Sequence, residues 1–251
     1  MHPIPIGQMM DITRYPVKSM AGEKVSQTYI ASYGIYGDRS HAFVDNTKVG
    51  WDRYITARQI PQMLGYKAKF AETIDERIEG NFPAIEVVSP DGEMFTWNDQ
   101  LLQQIQPLSK QKISMIRCEP NSEELLAVDA GAVLIITDRT YNKLEHILNT
   151  EIDKRRFRPN LIIRLHEESI QDERELIGKR ISVGGAELEI KEECERCSMI
   201  TIHPETLERD VTILKAVNAE MNLKFGLYAS VVRPGEVKTG ETVYLSVESV
   251  L

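Results

Sequence analysis

The sequence predicts a mainly β protein with some helices (α+β), because three kinds of pattern recur along its 251 residues. Short runs rich in β-branched and aromatic residues are separated by Pro, Gly and Asp, which are typical of tight turns. Only three segments show the spacing or the capping residues of a helix. Many short strands with scattered helices indicate a β-barrel, or a mixed sheet with helices at its rim.

Two segments near the N-terminus are predicted as single strands. QMMDITRYPV (8–17) is extended and contains a proline near its end. SHAFVD (40–45) follows the turn-like YGD. Both are rich in the apolar and β-branched residues that fit a pleated, half-buried surface.

Three later segments are predicted as strand–turn–strand units. AIEVVSPDGEMFTWN (84–98) turns at Pro-Asp-Gly, and RISVGGAELEIKE (180–192) turns at Gly-Gly. EVKTGETVYLSV (236–247) is predicted as another tight return, at Thr239-Gly240. In each of them two β-rich runs flank residues that favour a hairpin turn.

The three predicted helices are NDQLLQQIQPL (98–108), TDRTYNKLEHILNTEI (137–152) and DVTILKAVNAEM (210–221). In the second, an apolar stripe is expected from residues at i, i+3, i+6 and i+7, which are Tyr141, Leu144, Ile147 and Leu148. Thr137 or Asp138 is placed to cap it, as Asn98 or Asp99 is in the first.

Composition excludes several kinds of protein. The net charge is −8, from 30 basic and 38 acidic residues, so no nucleic-acid or membrane partner is expected, since both need a basic face. The longest apolar runs, such as AVLIIT, are too short to cross a bilayer, and the N-terminus lacks the pattern of a signal peptide. Three cysteines make no disulfide framework, so a reducing, cytoplasmic location is expected.

A basic run stands out in this acidic chain. Five basic residues and no acidic residue lie between Lys154 and Arg164. Pro159 is expected to restrict Arg158 to an extended conformation, and a pre-set arginine followed by Asn160 suits a planar or anionic ligand. The alternative is that these arginines stabilise the C-terminal dipole of the preceding helix.

Two further segments hold candidate anion contacts. Lys18 and Ser19 precede a turn of small residues and are suited to holding a phosphate, although surface lysines are also common in a solvated role. Arg39 follows a glycine turn at the start of a predicted strand, where a local pair with Asp38 is the alternative.

Cys194 and Cys197 lie three residues apart, and the chain has one other cysteine, Cys118. A zinc site usually needs four ligands, and a thioredoxin-like pair lies between a strand and a helix. Two inert buried thiols are a third interpretation. The fourth is one reactive thiolate, whose pKa is lowered by Arg196 and which suits a soft metal centre. These residues alone leave the alternatives open.

Taken in order, several segments resemble one protein family. They are YPVKSM, GDRSHAFVD, TARQIP, RFRPN, CERC with HPET, and FGLYASVVRPGEVKTGETVYL. The chain is identified as similar to MOSC-domain proteins with an N-terminal MOSC β-barrel domain, such as the mitochondrial amidoxime-reducing component and YcbX-type proteins. The resemblance extends from about Met9 to Leu245. It implies an N-terminal domain over residues 1–105 and a MOSC domain over residues 106–251.

This resemblance implies that the chain binds a molybdenum cofactor, in which a pterin carries the metal. Cys197 matches the cysteine that ligates molybdenum and takes part in catalysis, whereas Cys194 matches a less essential position. The residues that match cofactor contacts are Lys18, Ser19, Arg39, Arg58, Thr137, Arg158, Asn160, Arg196 and Cys197.

The implied function is an oxidoreductase that reduces N-hydroxylated substrates: amidoximes, hydroxylamines or N-hydroxylated bases. The electrons would come from a separate ferredoxin- or cytochrome-type donor protein with a flavin reductase. The alternative is a carrier of the cofactor, or of sulfur as a Cys197 persulfide, with no turnover of its own. Pyridoxal phosphate would then belong to a separate partner, not to this chain.

The chain departs from the family pattern in the segment after the cysteines. His203 and Leu207 replace an aspartate and a glycine that are common in the family. These replacements are expected to reshape the substrate mouth. No general acid can be identified, and His203 and Asp210 are the candidates.

Overall fold

The computed structural model describes residues 3–71, 82–122, 125–168 and 170–246, and it confirms a mainly β fold with a barrel. The strands in this part of the chain are β1 Ile4–Arg14, β2 Glu23–Val25, β3 Gln27–Ala31, β4 Gly34–Ile35, β5 His41–Val44, β6 Lys67–Phe70, β7 Ile85–Val88, β8 Met94–Thr96, β9 Ser114–Arg117, β10 Val133–Thr137, β11 Leu161–Leu165, β12 Arg180–Val183, β13 Ala186–Glu195, β14 Lys224–Arg233, β15 Gly235–Lys238 and β16 Thr242–Ser246. The helices are α1 Asp99–Ile105, α2 Asp138–Leu148 and α3 Val211–Met221.

Within the described ranges, seven strands close into a barrel in the order β11, β10, β14, β13, β12, β16 and β1, and β1 returns to β11. β10 and β11 run parallel, and the other pairs in the ring are antiparallel. β1 closes the ring because it pairs with β16 at Ile4 and with β11 at Ile12. Closure removes the free sheet edges that would otherwise invite pairing with other chains.

The apolar side chains of these strands form the core of the barrel. Ile6, Met9 and Ile12 of β1 are almost completely buried and pack with residues from the other barrel strands. Ile30 and Ile35, from β3 and β4, belong to the same cluster. β1 therefore packs with strands that follow residue 130, although it lies in the predicted 1–105 region. The boundary between residues 105 and 106 stays a prediction.

A second core lies in the N-terminal half of the chain. It contains buried aromatic and aliphatic side chains from residues 17–126, among them Phe43, Met63 and Phe70. The sheets around it are β6–β7–β8 and the β5–β9 pair, while β3 and β4 form a three-stranded sheet with β15.

Two of the three predicted hairpins are confirmed, and the third is wrong. β7 pairs with β8, and β12 pairs with β13. β15 and β16 do not pair with each other: β15 pairs with β3, and β16 pairs with β12 and β1. The turn at Gly240 is anchored to Met9, whose backbone exchanges bonds with Gly240 and Glu241. The chain therefore crosses between two sheets there, because both strands find partners elsewhere.

The three predicted helices are confirmed, and so are the N-caps predicted for the first two. Asn98 accepts hydrogen bonds from Gln100 and Leu101, and Thr137 accepts one from the Thr140 N–H. Asp210 caps α3. In the described part of the chain, no helix has the length and apolar character that crossing a bilayer requires.

A buried carboxylate connects α2 to the barrel. Glu173 accepts hydrogen bonds from the N–H and the hydroxyl of Thr137 and from the N–H of Gly226. Gly226 has a φ of 87°, and a Cβ there would lie 2.7 Å from Ile136. Glycine is therefore needed where β14 passes β10, and the pKa of Glu173 is raised by its burial.

Candidate functional site

A cavity of about 330 Å³ brings together six of the nine residues that were predicted to contact a cofactor. These six are Arg39, Arg58, Arg158, Asn160, Arg196 and Cys197. They come from four separate parts of the sequence, so the fold, not their spacing, makes them neighbours. We call this space the Cys197 cavity.

Cys197 lies where β13 ends and a 3₁₀ turn, Ser198–Thr201, begins. The Arg196 N–H donates to the Leu223 carbonyl over 2.7 Å, which fixes the chain just before the cysteine. Cys197 is half-buried and lines the cavity. Its sulfur is therefore at the cavity wall, where a ligand has access to it.

Arg196 contacts the other cysteine of the pair. Its Nη1 donates to the sulfur of Cys194 over 2.9 Å, and its Nη2 donates to the Phe157 carbonyl over 2.6 Å. Cys194 is buried and packs with Phe157 and Phe225. The hydrogen bond of Arg196 to sulfur thus goes to Cys194, and its expected effect on Cys197 stays a prediction.

The ring of Tyr15 makes cation–π contacts with two guanidinium groups. Arg158 lies 4.2 Å from the ring centroid and Arg39 lies 4.6 Å from it. The Tyr15 hydroxyl donates to the Pro159 carbonyl over 3.2 Å. Burial raises the pKa of Tyr15 to about 12, so the ring stays neutral and offers an electron-rich face to both cations.

The prediction that Pro159 holds Arg158 in an extended conformation is wrong. Arg158 has φ 53° and ψ 47° and ends the 3₁₀ turn Lys154–Phe157, where its N–H donates to the Arg155 carbonyl. Left-handed residues commonly end such turns, and here that requirement overrides the preference set by Pro159. The contact with Tyr15 holds the side chain in this position.

Arg39 makes the predicted local pair with Asp38 and also reaches Asn160. Asp38 is buried, and it accepts hydrogen bonds from Arg39 Nη1 and from the Tyr15 N–H. Asn160 Oδ1 accepts from Arg39 over 3.4 Å and from the Leu134 N–H over 3.0 Å. Asn160 therefore joins the cavity wall to β10, so much of its hydrogen-bonding capacity is already used.

Lys18 lies beside the Cys197 cavity rather than in its wall. Its Nζ donates to the Asp129 carboxylate and to the Ala127 carbonyl, both over 2.7 Å, and lies 4.6 Å from the Trp51 ring centroid. Lys18 lines a neighbouring space, and Arg58 and Asp129 line both spaces. Asp129 thus links Lys18 to the cavity.

Ser19 and Thr137 lie outside the Cys197 cavity. Ser19 is buried, with a φ of 67°. Thr137 is completely buried, and its hydroxyl and N–H both bond Glu173. Thr137 has a structural role, because its polar groups are used inside the fold, and its contact with a cofactor stays a prediction.

The cavity has the electrostatic character of an anion site. Two buried guanidinium atoms, Arg158 Nη2 and Arg196 Nε, have no hydrogen-bond partner among the described residues. Burial, together with neighbouring Arg39, lowers the pKa of Arg158 to about 10, although Tyr15 opposes this shift. Unpaired buried donors of this kind favour an anionic partner.

The donor set of this cavity fits the implied cofactor. A cysteine sulfur suits a soft metal, and guanidinium groups suit a phosphate or a planar heterocycle. Four carboxylates also line the cavity, so its positive character is local: Asp129, Glu192, Glu193 and Glu195. Asp129 and Glu195 are paired with Lys18 and Lys224.

The other interpretations of the cysteine pair lack support in the described residues. Cys194 and Cys197 are both free thiols. In the described part of the chain, no group of three or more His, Cys, Asp or Glu side chains is placed to hold a metal. Cys194 is a core residue and Cys197 is half-buried, so the two thiols have different surroundings, and a working role for Cys197 stays a prediction.

The two departures from the family pattern preserve the turn after the cysteines. His203 Nδ1 accepts hydrogen bonds from the N–H groups of Glu205 and Thr206, over 3.2 Å each, as an aspartate oxygen would. Leu207 has a φ of 59°, a conformation that glycine adopts readily. Asp210 caps α3. His203 and Asp210 therefore have structural roles.

Three residues of the site were missed by the sequence interpretation. Tyr15 supports two of the arginines, Arg156 lines the cavity and Tyr228 lies beside Cys194. Burial, and then the sulfur of Cys194, raise the pKa of Tyr228. A tyrosine just before the Pro-Val-Lys segment was the one signal available for Tyr15. Arg156 lies in the basic run from Lys154 to Arg164, which was a signal for it, whereas the position of Tyr228 becomes visible only when the chain is folded.

Two family models match this chain. The MOSC domain matches residues 122–244, and the MOSC N-terminal beta barrel domain matches residues 6–96. Together they include all of the residues that line the Cys197 cavity.

Comparison with known proteins gives relatives and a similar structure. The molybdenum cofactor sulfurase of Caenorhabditis elegans is 29% identical over 126 residues, which cover 48% of this chain and 17% of that protein. The molybdenum cofactor sulfurase of Caenorhabditis briggsae is 30% identical over 136 residues, covering 51% and 19%. The matched segment thus spans under a fifth of these longer proteins. The YuaD protein from Bacillus subtilis shares the fold, with a TM-score of 0.52, 14% identity and 97% of each chain covered.

Proposed function

The chain belongs to the MOSC-domain family and carries its N-terminal β-barrel domain, and from this premise we propose that it binds the molybdenum cofactor and reduces N-hydroxylated compounds. The observation that carries the proposal is the Cys197 cavity, in which a half-buried thiol shares a wall with five arginines. These are Arg39, Arg58, Arg156, Arg158 and Arg196. Four of these arginines are partly buried and Arg58 is exposed, and like charges gathered around one cavity repel each other unless an anion neutralises them.

Each residue has a task that follows from its position. Cys197 would bind the metal through its sulfur. Arg158 and Arg196 would donate their unpaired N–H groups to anionic or heterocyclic parts of the cofactor. Arg39 and Asn160 are fixed to each other and to the barrel, so they would orient the ligand with little rearrangement.

The bound cofactor would supply the two-electron chemistry that removes oxygen from a nitrogen atom. In the balanced reaction the N–O bond breaks, an N–H bond forms and water leaves, with two electrons and two protons consumed. A separate ferredoxin- or cytochrome-type protein with a flavin reductase would supply the electrons. The protein residues would bind the reactants, and the guanidinium groups would stabilise negative charge on the departing oxygen.

Metal analysis of purified protein tests the proposal. The wild type, Cys197→Ser and Cys118→Ser are produced in a host supplied with molybdate, and molybdenum per chain is measured. Cys118 is a matched control because it is also a half-buried free thiol but does not line the cavity. We expect molybdenum in the wild type and in Cys118→Ser, and loss from Cys197→Ser with unchanged circular dichroism. Equal loading of all three proteins contradicts the assignment of Cys197.

Turnover is then measured with a hydroxylamine or an amidoxime and an artificial reductant. Reduction by the loaded wild type supports the oxidoreductase. Full molybdenum loading without turnover of several N-hydroxylated compounds contradicts it.

A carrier function is the second candidate, favoured by the relatives, which are molybdenum cofactor sulfurases. In this case the chain would hold the cofactor, or hold sulfur as a Cys197 persulfide, and pass it on. The sulfur would come from a separate pyridoxal-phosphate desulfurase. Mass spectrometry after incubation with such a desulfurase and cysteine would then detect one added sulfur on Cys197 and none in Cys197→Ser.

A further inference from the structure

A second, larger cavity of about 550 Å³ lies on the other side of the segment that carries Arg156 and Arg158. It is bounded by β1, by the segment 21–24, by the start of β6, and by residues 153–159 and 199–205. We call it the β1 cleft. Arg156, Arg158 and Met199 line both cavities, whereas Cys197 lines only the first of the two.

The floor of the β1 cleft is apolar. It contains Tyr15, Leu64, Ile162 and Ile202, each of which is almost completely buried within the fold, together with Met199. A cavity of this volume with an apolar floor and a few polar groups has the properties of a small-molecule site.

The charged side chains around this floor carry a positive excess. Six cations line the cleft: Lys24, Lys67, Lys154, Arg155, Arg156 and Arg158. Three carboxylates line it as well: Asp11, Asp153 and Glu205. The excess of three positive charges is local, since the whole chain has a net charge of −8.

The carboxylates are already paired, whereas several cations are not. Lys24 binds Asp11 over 2.9 Å, and Arg155 binds both Asp153 and Glu205. Lys67 is exposed and forms no ion pair with another described residue. Arg158 Nη2 is buried and is already assigned to the proposed cofactor, so it is not counted as a contact of the cleft. The exposed, unpaired charge at the apolar floor is therefore that of Lys67.

We propose that the β1 cleft binds an organic anion with an apolar body, namely a carboxylate or a phosphate monoester attached to an aromatic or aliphatic group. The apolar body packs on Leu64, Ile162 and Ile202, and the anionic group is held by Lys67, which is exposed and lines the cleft. This site lies beside the proposed cofactor contacts, with Arg156 and Arg158 lining both cavities. Binding there does not require molybdenum or turnover.

Isothermal titration calorimetry with phenyl phosphate tests the proposal. The wild-type protein is compared with Lys67→Met and with Lys69→Met, after circular dichroism shows that all three are folded. Lys69 is a matched control because it lies two residues along the same strand, is also exposed and does not line the cleft. Loss of one partly exposed charge contact is expected to weaken binding about threefold to tenfold in Lys67→Met. Lys69→Met should bind as the wild type does.

Phenol and inorganic phosphate test the two halves of the ligand separately. Each should bind more weakly than phenyl phosphate, since phenol lacks the charge and phosphate lacks the apolar body. Equal affinity for phenyl phosphate in the wild type, Lys67→Met and Lys69→Met would place the anion elsewhere and overturn the proposal. Absence of saturable binding, or phenol binding as tightly as phenyl phosphate, would also overturn it. None of these outcomes depends on whether the protein reduces N-hydroxylated compounds.

Discussion

Arg196 donates a hydrogen bond from Nη1 to the sulfur of Cys194, and the two atoms are 2.9 Å apart. Cys194 is 2% exposed and packs in the core beneath α2 and α3, whereas Cys197 is half-buried at the cavity wall. The two cysteines of the pair therefore have different surroundings, one structural and one accessible. Replacement of each cysteine is therefore expected to affect the free energy of unfolding differently.

Cys194→Ala is expected to lower the free energy of unfolding by about 1–3 kcal/mol, because the buried guanidinium of Arg196 loses a partner and a small cavity opens. Cys197→Ala should change it by about 0.5 kcal/mol or less, since its side chain is partly exposed. Urea unfolding of the metal-free proteins measures both. A larger loss for Cys197→Ala than for Cys194→Ala would contradict the structural role of Cys194.

Tyr15→Phe and Tyr15→Leu separate the two functions of the tyrosine. Phe keeps the aromatic ring beneath Arg39 and Arg158 but loses the hydrogen bond to Pro159, at an expected cost of about 0.5–1.5 kcal/mol. Leu also removes the cation–π contacts and should cost about 1–2 kcal/mol more. Chemical unfolding gives these values, and molybdenum content should fall only in Tyr15→Leu. Equal loss of molybdenum in both variants would mean that the ring does not position the arginines.

Glu173→Gln is expected to destabilise the fold by about 2–3 kcal/mol. The amide nitrogen of Gln cannot accept a hydrogen bond, so the donors of either Thr137 or Gly226 lose their partner inside the core. Glu220→Gln, on the exposed face of α3, is the matched control and should be close to neutral. Thermal and urea unfolding compare the two. Similar stability of both variants would show that the carboxylate does not hold α2 to β14.

The stability of the protein should fall as the pH falls below about 6.5, in part because of His41. Burial, and then the nearby Arg117, lower the pKa of His41 from 6.5 to about 3. Between these two values the unfolded chain binds more protons than the folded protein, so stability decreases with decreasing pH by up to about 1.4 kcal/mol per pH unit. His41→Phe should flatten the measured dependence, and His146→Gln, on the exposed side of α2, should not. An unchanged slope in His41→Phe would exclude this histidine as the cause.

Substitutions of Leu207 test whether the turn after the cysteines is under backbone strain. Leu207→Val should cost about 1–2 kcal/mol, because a β-branched residue fits poorly at a φ of 59°. Leu207→Asn should cost less, since asparagine tolerates this conformation, even though its contact with Leu64 and Ile202 becomes less apolar. Unfolding free energies rank the two variants. A more stable Val variant would show that side-chain packing, not the backbone, dominates at this position.

The sequence predicted local structure well where the signal itself was local. The caps at Asn98 and Thr137 depend on residues within one helical turn, and two hairpins depend on their own turn residues. The prediction of a hairpin at Thr239-Gly240 was wrong because a turn signal does not identify the partner of each strand. β15 and β16 obtain their hydrogen bonds from strands that are distant in sequence.

The candidate site shows the same limit. The family resemblance selected Arg39, Arg158, Arg196 and Cys197, and the fold brings them to one cavity. It did not reveal which cysteine Arg196 contacts, because this depends on the three-dimensional path of the chain after β13. The conformation of Arg158 was also missed, since the end of a 3₁₀ turn outweighs the effect of the following proline.

The closure of the barrel by β1 has a consequence for how the protein acquires its structure during synthesis. Ile4 pairs with Leu245, so β1, the first barrel strand along the chain, must wait for β16, which follows the other six barrel strands. Until β16 has been synthesised, the edge of β1 that pairs with it stays open, and contacts of such long sequence separation make folding slow. The emerging chain therefore carries an open strand edge for most of the synthesis of the barrel, a state that chaperones of nascent polypeptides are suited to shield.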